Sequence, residues 1–67
     1  MKLHYYPDTD SLYIELSAGD AADTREVASG IVLDFDATGR VVGIDLDHAR
    51  ERVDLSRLES EGLPAPR

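Results

Sequence analysis

The stretch Ile31-Val-Leu-Asp-Phe-Asp-Ala-Thr-Gly-Arg-Val-Val-Gly-Ile-Asp-Leu-Asp47 decides the fold. Ile31, Leu33 and Phe35 alternate with Val32, Asp34 and Asp36, the period of two that sends successive side chains to opposite faces of a strand. Val42, Ile44 and Leu46 answer them on a return strand. For the two apolar sets to share a face, Leu33 must stand opposite Ile44 and Phe35 opposite Val42, which requires an even-numbered connection. A bare Thr38-Gly39 turn would force a β-branched residue to positive φ. The spacing therefore predicts a four-residue loop, Ala37 to Arg40, with Gly39 in the left-handed region.

Toward the N-terminus, Leu3 to Tyr6 reads as a short strand and Pro7-Asp8-Thr9-Asp10 as a turn, with Pro presetting φ and Asp side chains bonding nearby amides. Ser11 to Leu16 alternates cleanly, Leu12, Ile14 and Leu16 on one face against Ser11, Tyr13 and Glu15 on the other. Residues 17–23 have the small, polar composition of a loop. Thr24 to Ala28 is a further strand, joined to Ile31 through a Ser29-Gly30 turn that sets Ala28 opposite Ile31 and Val27 opposite Val32, with Gly30 at positive φ. Five strands in sequential antiparallel order, a meander, result.

After Asp47 the period changes. His48 to Arg52 reads as a short turn of helix, and Asp54 as the N-cap of a helix from Leu55 to Ser60, closed by Gly62 and Pro64. Leu55 and Leu58 supply a stripe to cover one sheet face. The fold class is thus α+β: a small antiparallel β-meander of about five strands with a short C-terminal helix packed on one face. Residues 1–62 form a single domain and residues 63–67 a flexible tail. The buried face comprises Ile31, Leu33, Phe35, Val42, Ile44 and Leu46, with Leu12, Ile14 and Leu16.

The pieces Tyr6-Pro-Asp-Thr-Asp-Ser-Leu-Tyr-Ile14, Glu26-Val-Ala-Ser-Gly-Ile-Val-Leu-Asp-Phe-Asp36 and Gly39-Arg-Val-Val-Gly-Ile-Asp45 resemble the family called domain of unknown function 2283, or YuzE-like. The resemblance runs over most of residues 3 to 49. It implies a small antiparallel sheet with a C-terminal helical piece, assigns no catalytic residue, and suggests an antitoxin-like role by association with small toxin-like neighbours.

The 67 residues contain no cysteine, which excludes disulfides and restricts any zinc site to His and carboxylate ligands. No stretch reaches the roughly 20 apolar residues of a membrane span, and no basic start precedes an apolar run, so the expected location is cytoplasmic. Net charge is −7, and residues 1–47 hold three basic against ten acidic side chains while residues 48–67 hold four of each. Such a field argues against direct nucleic-acid binding and for a basic protein partner.

Asp34, Asp36, Asp45 and Asp47 share the face opposite Leu33, an oxygen-rich cluster of the kind that can hold a divalent cation. A small metal-dependent protein or enzyme using this cluster, with His48, is the alternative reading. Carboxylates alternating with core residues are more simply a solvated face. His4 and His48 lack a nucleophile setting beside them, so the expectation is a protein that is not an enzyme and carries no cofactor. Arg50, Arg52 and Arg57 interleave with Glu51 and Asp54 as a salt-bridged surface. On the second sheet face, Tyr13, Val27, Val32 and Val41 lie beside Asp34, Asp36 and Asp45. An apolar centre within an acidic surround is the signature of a homo-oligomer interface or of a surface for a small basic protein.

Overall fold

The computed structural model describes residues 1–65. Its elements are β1 (Lys2–Tyr6), β2 (Ser11–Glu15), β3 (Asp23–Ala28), β4 (Ile31–Phe35), β5 (Val41–Leu46) and a single helical turn, α1 (Ala49–Arg52). The five strands form one antiparallel sheet with the short helix C-terminal to it, the α+β class that the alternation predicts.

Two hairpins carry the register. In the first, Leu3 stands opposite Ile14 and Tyr5 opposite Leu12. In the second, Leu33 stands opposite Ile44 and Ile31 opposite Leu46, so both strands present their apolar side chains to the same face.

Neighbour order departs from strict sequence. The strands run β1-β2-β5-β4-β3, and β2 pairs with β5, Ile14 opposite Ile44, instead of with β3. The meander is confined to β3-β4-β5, against whose β5 edge the β1-β2 hairpin docks. Charge explains the choice: β3 holds Asp23, Arg25 and Glu26, which suit a solvent-facing edge, whereas β5 holds Val42, Gly43 and Ile44, which suit the centre. The 16–22 connection crosses the end of the sheet, with the amides of Leu16 and Ser17 donating to the Val42 carbonyl and that of Ala22 to the Phe35 carbonyl.

Two bulges correct the predicted register. Phe35 pairs with Val41, not Val42, and the β4-β5 connection is the five residues 36–40. Glu26, not Val27, faces Val32, while Ala28 faces Ile31 as the turn requires. Gly30 and Gly39 both take positive φ, 76° and 87°.

The C-terminal segment departs further. Asp54 accepts hydrogen bonds from the Ser56 amide (3.0 Å) and hydroxyl (2.6 Å), but no helix follows over 55–60. Six residues are too few to repay helix nucleation unless both leucines are buried, and Leu58 is 80% exposed. The helix is instead α1, whose Ala49 is fully buried and donates its amide to the Asp10 carbonyl at 2.9 Å. Arg52 anchors it, donating from Nε to the Asp47 carbonyl (2.7 Å) and from its terminal nitrogen to the Ser29 carbonyl (2.6 Å). Residues 63–65 have no regular structure, and the remainder of the predicted tail, 66–67, lies outside the described residues.

Burial is thin. Leu12, Val42 and Ala49 are the buried apolar side chains among the described residues, and none of the larger side chains is fully enclosed. Ile14, Ile31, Leu33, Phe35, Ile44 and Leu46 share the predicted face but are half-buried, because one layer of sheet shields each side chain only from its flanks.

Candidate functional site

The face opposite these residues is organised around a glycine. Gly43 lies in β5 opposite both Glu15 of β2 and Asp34 of β4. With no Cβ there, the Tyr13 ring lies flat across β5, and an added methyl would overlap its hydroxyl. Tyr13 thereby donates to Asp34 Oδ2 at 2.7 Å, and Thr24 on the edge strand donates to Asp34 Oδ1 at 2.7 Å. The row Tyr13–Asp34–Thr24 crosses four strands and fixes the Asp34 carboxylate from both sides.

Strand alternation sets Glu15, Asp45, Asp47 and Glu26 on this same face, with Val32 between Glu26 and Asp45. The ion pairs among the described residues, Arg25–Asp23, Arg50–Asp10 and Arg57–Glu59, use none of them. Loss of solvent, and then the charges of Asp47 and Asp34, raise the Asp45 carboxyl above its ordinary value. The Asp34 carboxylate that accepts its proton, together with desolvation, pushes the Tyr13 phenol up to about 12.

Beside Asp45 the surface is concave. A shallow cleft of about 430 Å³ is bounded by Tyr6, Thr9, Ser11, Tyr13 and Asp45. Two phenol rings and an unpaired carboxylate form a complementary setting for an ammonium or guanidinium group, through charge and through the ring faces.

The predicted site residues divide accordingly. Tyr13, Val32, Asp34 and Asp45 share this face. Asp36 is withdrawn from it: its Oδ1 accepts from the Thr38 hydroxyl (2.7 Å), the Thr38 amide (2.9 Å) and the Arg40 amide (3.0 Å), tying the β4-β5 loop. Those donors, the Thr38 hydroxyl foremost, hold its carboxyl below the usual range. Val27 is 55% exposed at the β3 bulge, and Val41 is 37% exposed opposite Phe35, so the two do not join Val32 in one apolar patch. Asp47 accepts from the Ser11 hydroxyl at 3.3 Å, and His48 sits exposed at φ 53° ahead of α1. Among the described residues, no group of three or more His, Cys, Asp or Glu side chains is arranged to hold a metal ion.

Thr24 and Gly43 were not singled out by sequence reasoning. Gly43 had a signal, since a glycine inside a strand marks a close approach. Thr24 had none.

Residues 2–50 match the family model described as a protein of unknown function, DUF2283. No curated protein and no solved structure matches the chain.

Proposed function

The chain belongs to the DUF2283 family, and we propose that it serves as a protein-interaction module that captures a basic segment of a partner protein on its acidic sheet face. The observation that carries this reading is Asp45: a carboxylate with no cation beside it among the described residues, raised by its surroundings, on the wall of a cleft bounded by Tyr6 and Tyr13. A partner's Arg or Lys entering that cleft supplies the missing countercharge and stacks on the phenols. Asp34, immobilised by Tyr13 and Thr24, offers a second fixed anion beside it. Glu15, Glu26 and Asp47 at the periphery speed and orient approach, since peripheral charges act mainly on association. Pairing with a small basic toxin is the form of this reading that the family resemblance suggests.

The chain has no tryptophan, and two of its three tyrosines, Tyr6 and Tyr13, line the cleft, so tyrosine fluorescence reports chiefly on it. Titration with an arginine-rich peptide at low and high salt tests the proposal. The expected result is a saturable change, weakened by salt, lost in Asp45→Asn and reduced in Tyr6→Ala. Equal binding by wild type and Asp45→Asn would overturn it.

A further inference from the structure

The opposite, apolar face is independent of that reading and is too open for a finished domain. A compact 7.4 kDa protein exposes about 4,200 Å², whereas this chain exposes 5457 Å². Its radius of gyration is 13.0 Å, against about 11 Å for a compact chain of this length. Part of the excess belongs to the extended C-terminal segment, and the rest to a sheet covered on neither side by a second layer.

Among the described residues, cover is present at the two ends of the apolar face. Gly19 of the crossing connection lies over Val42, 3.5 Å from its Cγ1 to a Cβ built on the glycine. Leu55 and Leu58 border Leu3, Tyr5 and Leu12 around a cleft of about 700 Å³ at the β1 edge. Between these ends, Ile14, Leu33, Ile44 and Leu46 form a contiguous half-exposed strip.

We propose that this face is closed by a second copy of the chain, sheet against sheet about a two-fold axis, giving a two-layer sandwich with both acidic faces outward. Area supports a second copy. Five strands of five or six residues, at about 4.8 Å between strands and about 3.3 Å per residue, give the sheet a flat footprint of roughly 400 Å², which Leu55 and Leu58 extend at the β1 edge toward the about 800 Å² per partner that a stable interface covers.

Charge supports it as well. At net −7 the chain repels itself unless its acids point away from the contact. They do: Glu15, Glu26, Asp34, Asp45 and Asp47 lie on the far face. Two of the acids bordering the apolar face are paired within the chain, Asp23 with Arg25 at 3.0 Å and Asp10 with Arg50 at 3.4 Å. Packed sheets stand about 10 Å apart, so the two outward faces are separated by more than a Debye length of about 8 Å. A surface whose centre, Ile14, Leu33, Ile44 and Leu46, is wholly apolar suits an identical surface better than a charged one.

Sedimentation equilibrium over a range of concentrations tests the proposal with charges placed one residue apart on opposite faces. Wild type is expected at twice 7.4 kDa, Val32→Asp at the same doubled mass, and Leu33→Asp at half of it. Thermal melting of wild type adds a reading that needs no variant, because a dimer's melting temperature rises with protein concentration. A wild-type chain that sediments as a monomer throughout, with a concentration-independent melting temperature, overturns the proposal. So does dissociation by Val32→Asp with Leu33→Asp folded and dimeric. Loss of peptide binding in Val32→Asp with retained dimer mass would bear on the acidic face alone.

Discussion

The Tyr13 phenol and the Asp34 carboxylate meet at 2.7 Å across the bare backbone of Gly43, joining β2 to β4 over the strand between them. Gly43→Ala places a methyl where the phenol lies. It should cost about 2 kcal/mol, the usual scale for an overpacked site. Gly19→Ala, whose Cβ would meet Val42 at an ordinary 3.5 Å, should stay within about 0.5 kcal/mol of wild type. Urea unfolding of the two variants checks the contrast.

Tyr13 also sets a pH limit. Its folded pKa of about 12 lies above the ordinary 10.0, so the folded state holds a proton that the unfolded state has released between those values. The stability this contributes is complete below pH 10 and is lost as pH rises toward 12. Tyr13→Phe should remove that part of the alkaline decline and cost about 1 to 2 kcal/mol at neutral pH, because Asp34 keeps only its Thr24 donor.

Asp45 has the opposite profile from a salt-bridged carboxylate. Its folded pKa is raised by desolvation and by Asp47 and Asp34, so its contribution favours folding below the unfolded value and is lost as pH rises through the folded one. At pH 7 its ionisation opposes folding. Asp45→Asn should therefore stabilise the free protein at neutral pH, by no more than about 0.5 kcal/mol, with the gain vanishing on acidification, even as it abolishes peptide binding. Melting curves at pH 3 and pH 7 measure the sign.

Gly30 and Gly39 both occupy left-handed backbone, yet they should not cost the same to replace. A Cβ on Gly39 meets nothing within 4 Å, whereas one on Gly30 comes within 2.7 Å of the Arg52 guanidinium that clamps Ser29 and Asp47. Gly39→Ala should cost about 1 kcal/mol for backbone strain alone, and Gly30→Ala clearly more. Equal losses would deny Arg52 its clamping role.

The period-two alternation made the two faces of the sheet legible, and the Leu33–Ile44 register with them, because side-chain parity depends on local sequence alone. Strand order was not legible. Nothing local to β2 says that its partner is the distant β5, and that choice rests on the charges that exile β3 to an edge. The bulges at Val27 and beside Val42 escaped for the same reason, being set by how strands of unequal twist meet. At the acidic face, Tyr13, Asp34 and Asp45 could be read from parity. Asp36 could not be separated from them, because only the folded loop shows its carboxylate turned inward onto Thr38 and Arg40.

Two adjacent residues of β5 test the two-faced account most directly. Ile44 belongs to the apolar face and Asp45 to the acidic one, and a chain without cysteine accepts a single reporter thiol at either position. The reactivity of Ile44→Cys toward a thiol reagent should fall as protein concentration rises, while that of Asp45→Cys stays constant. Thiols that react equally at every concentration, or protection at position 45 alone, would contradict it.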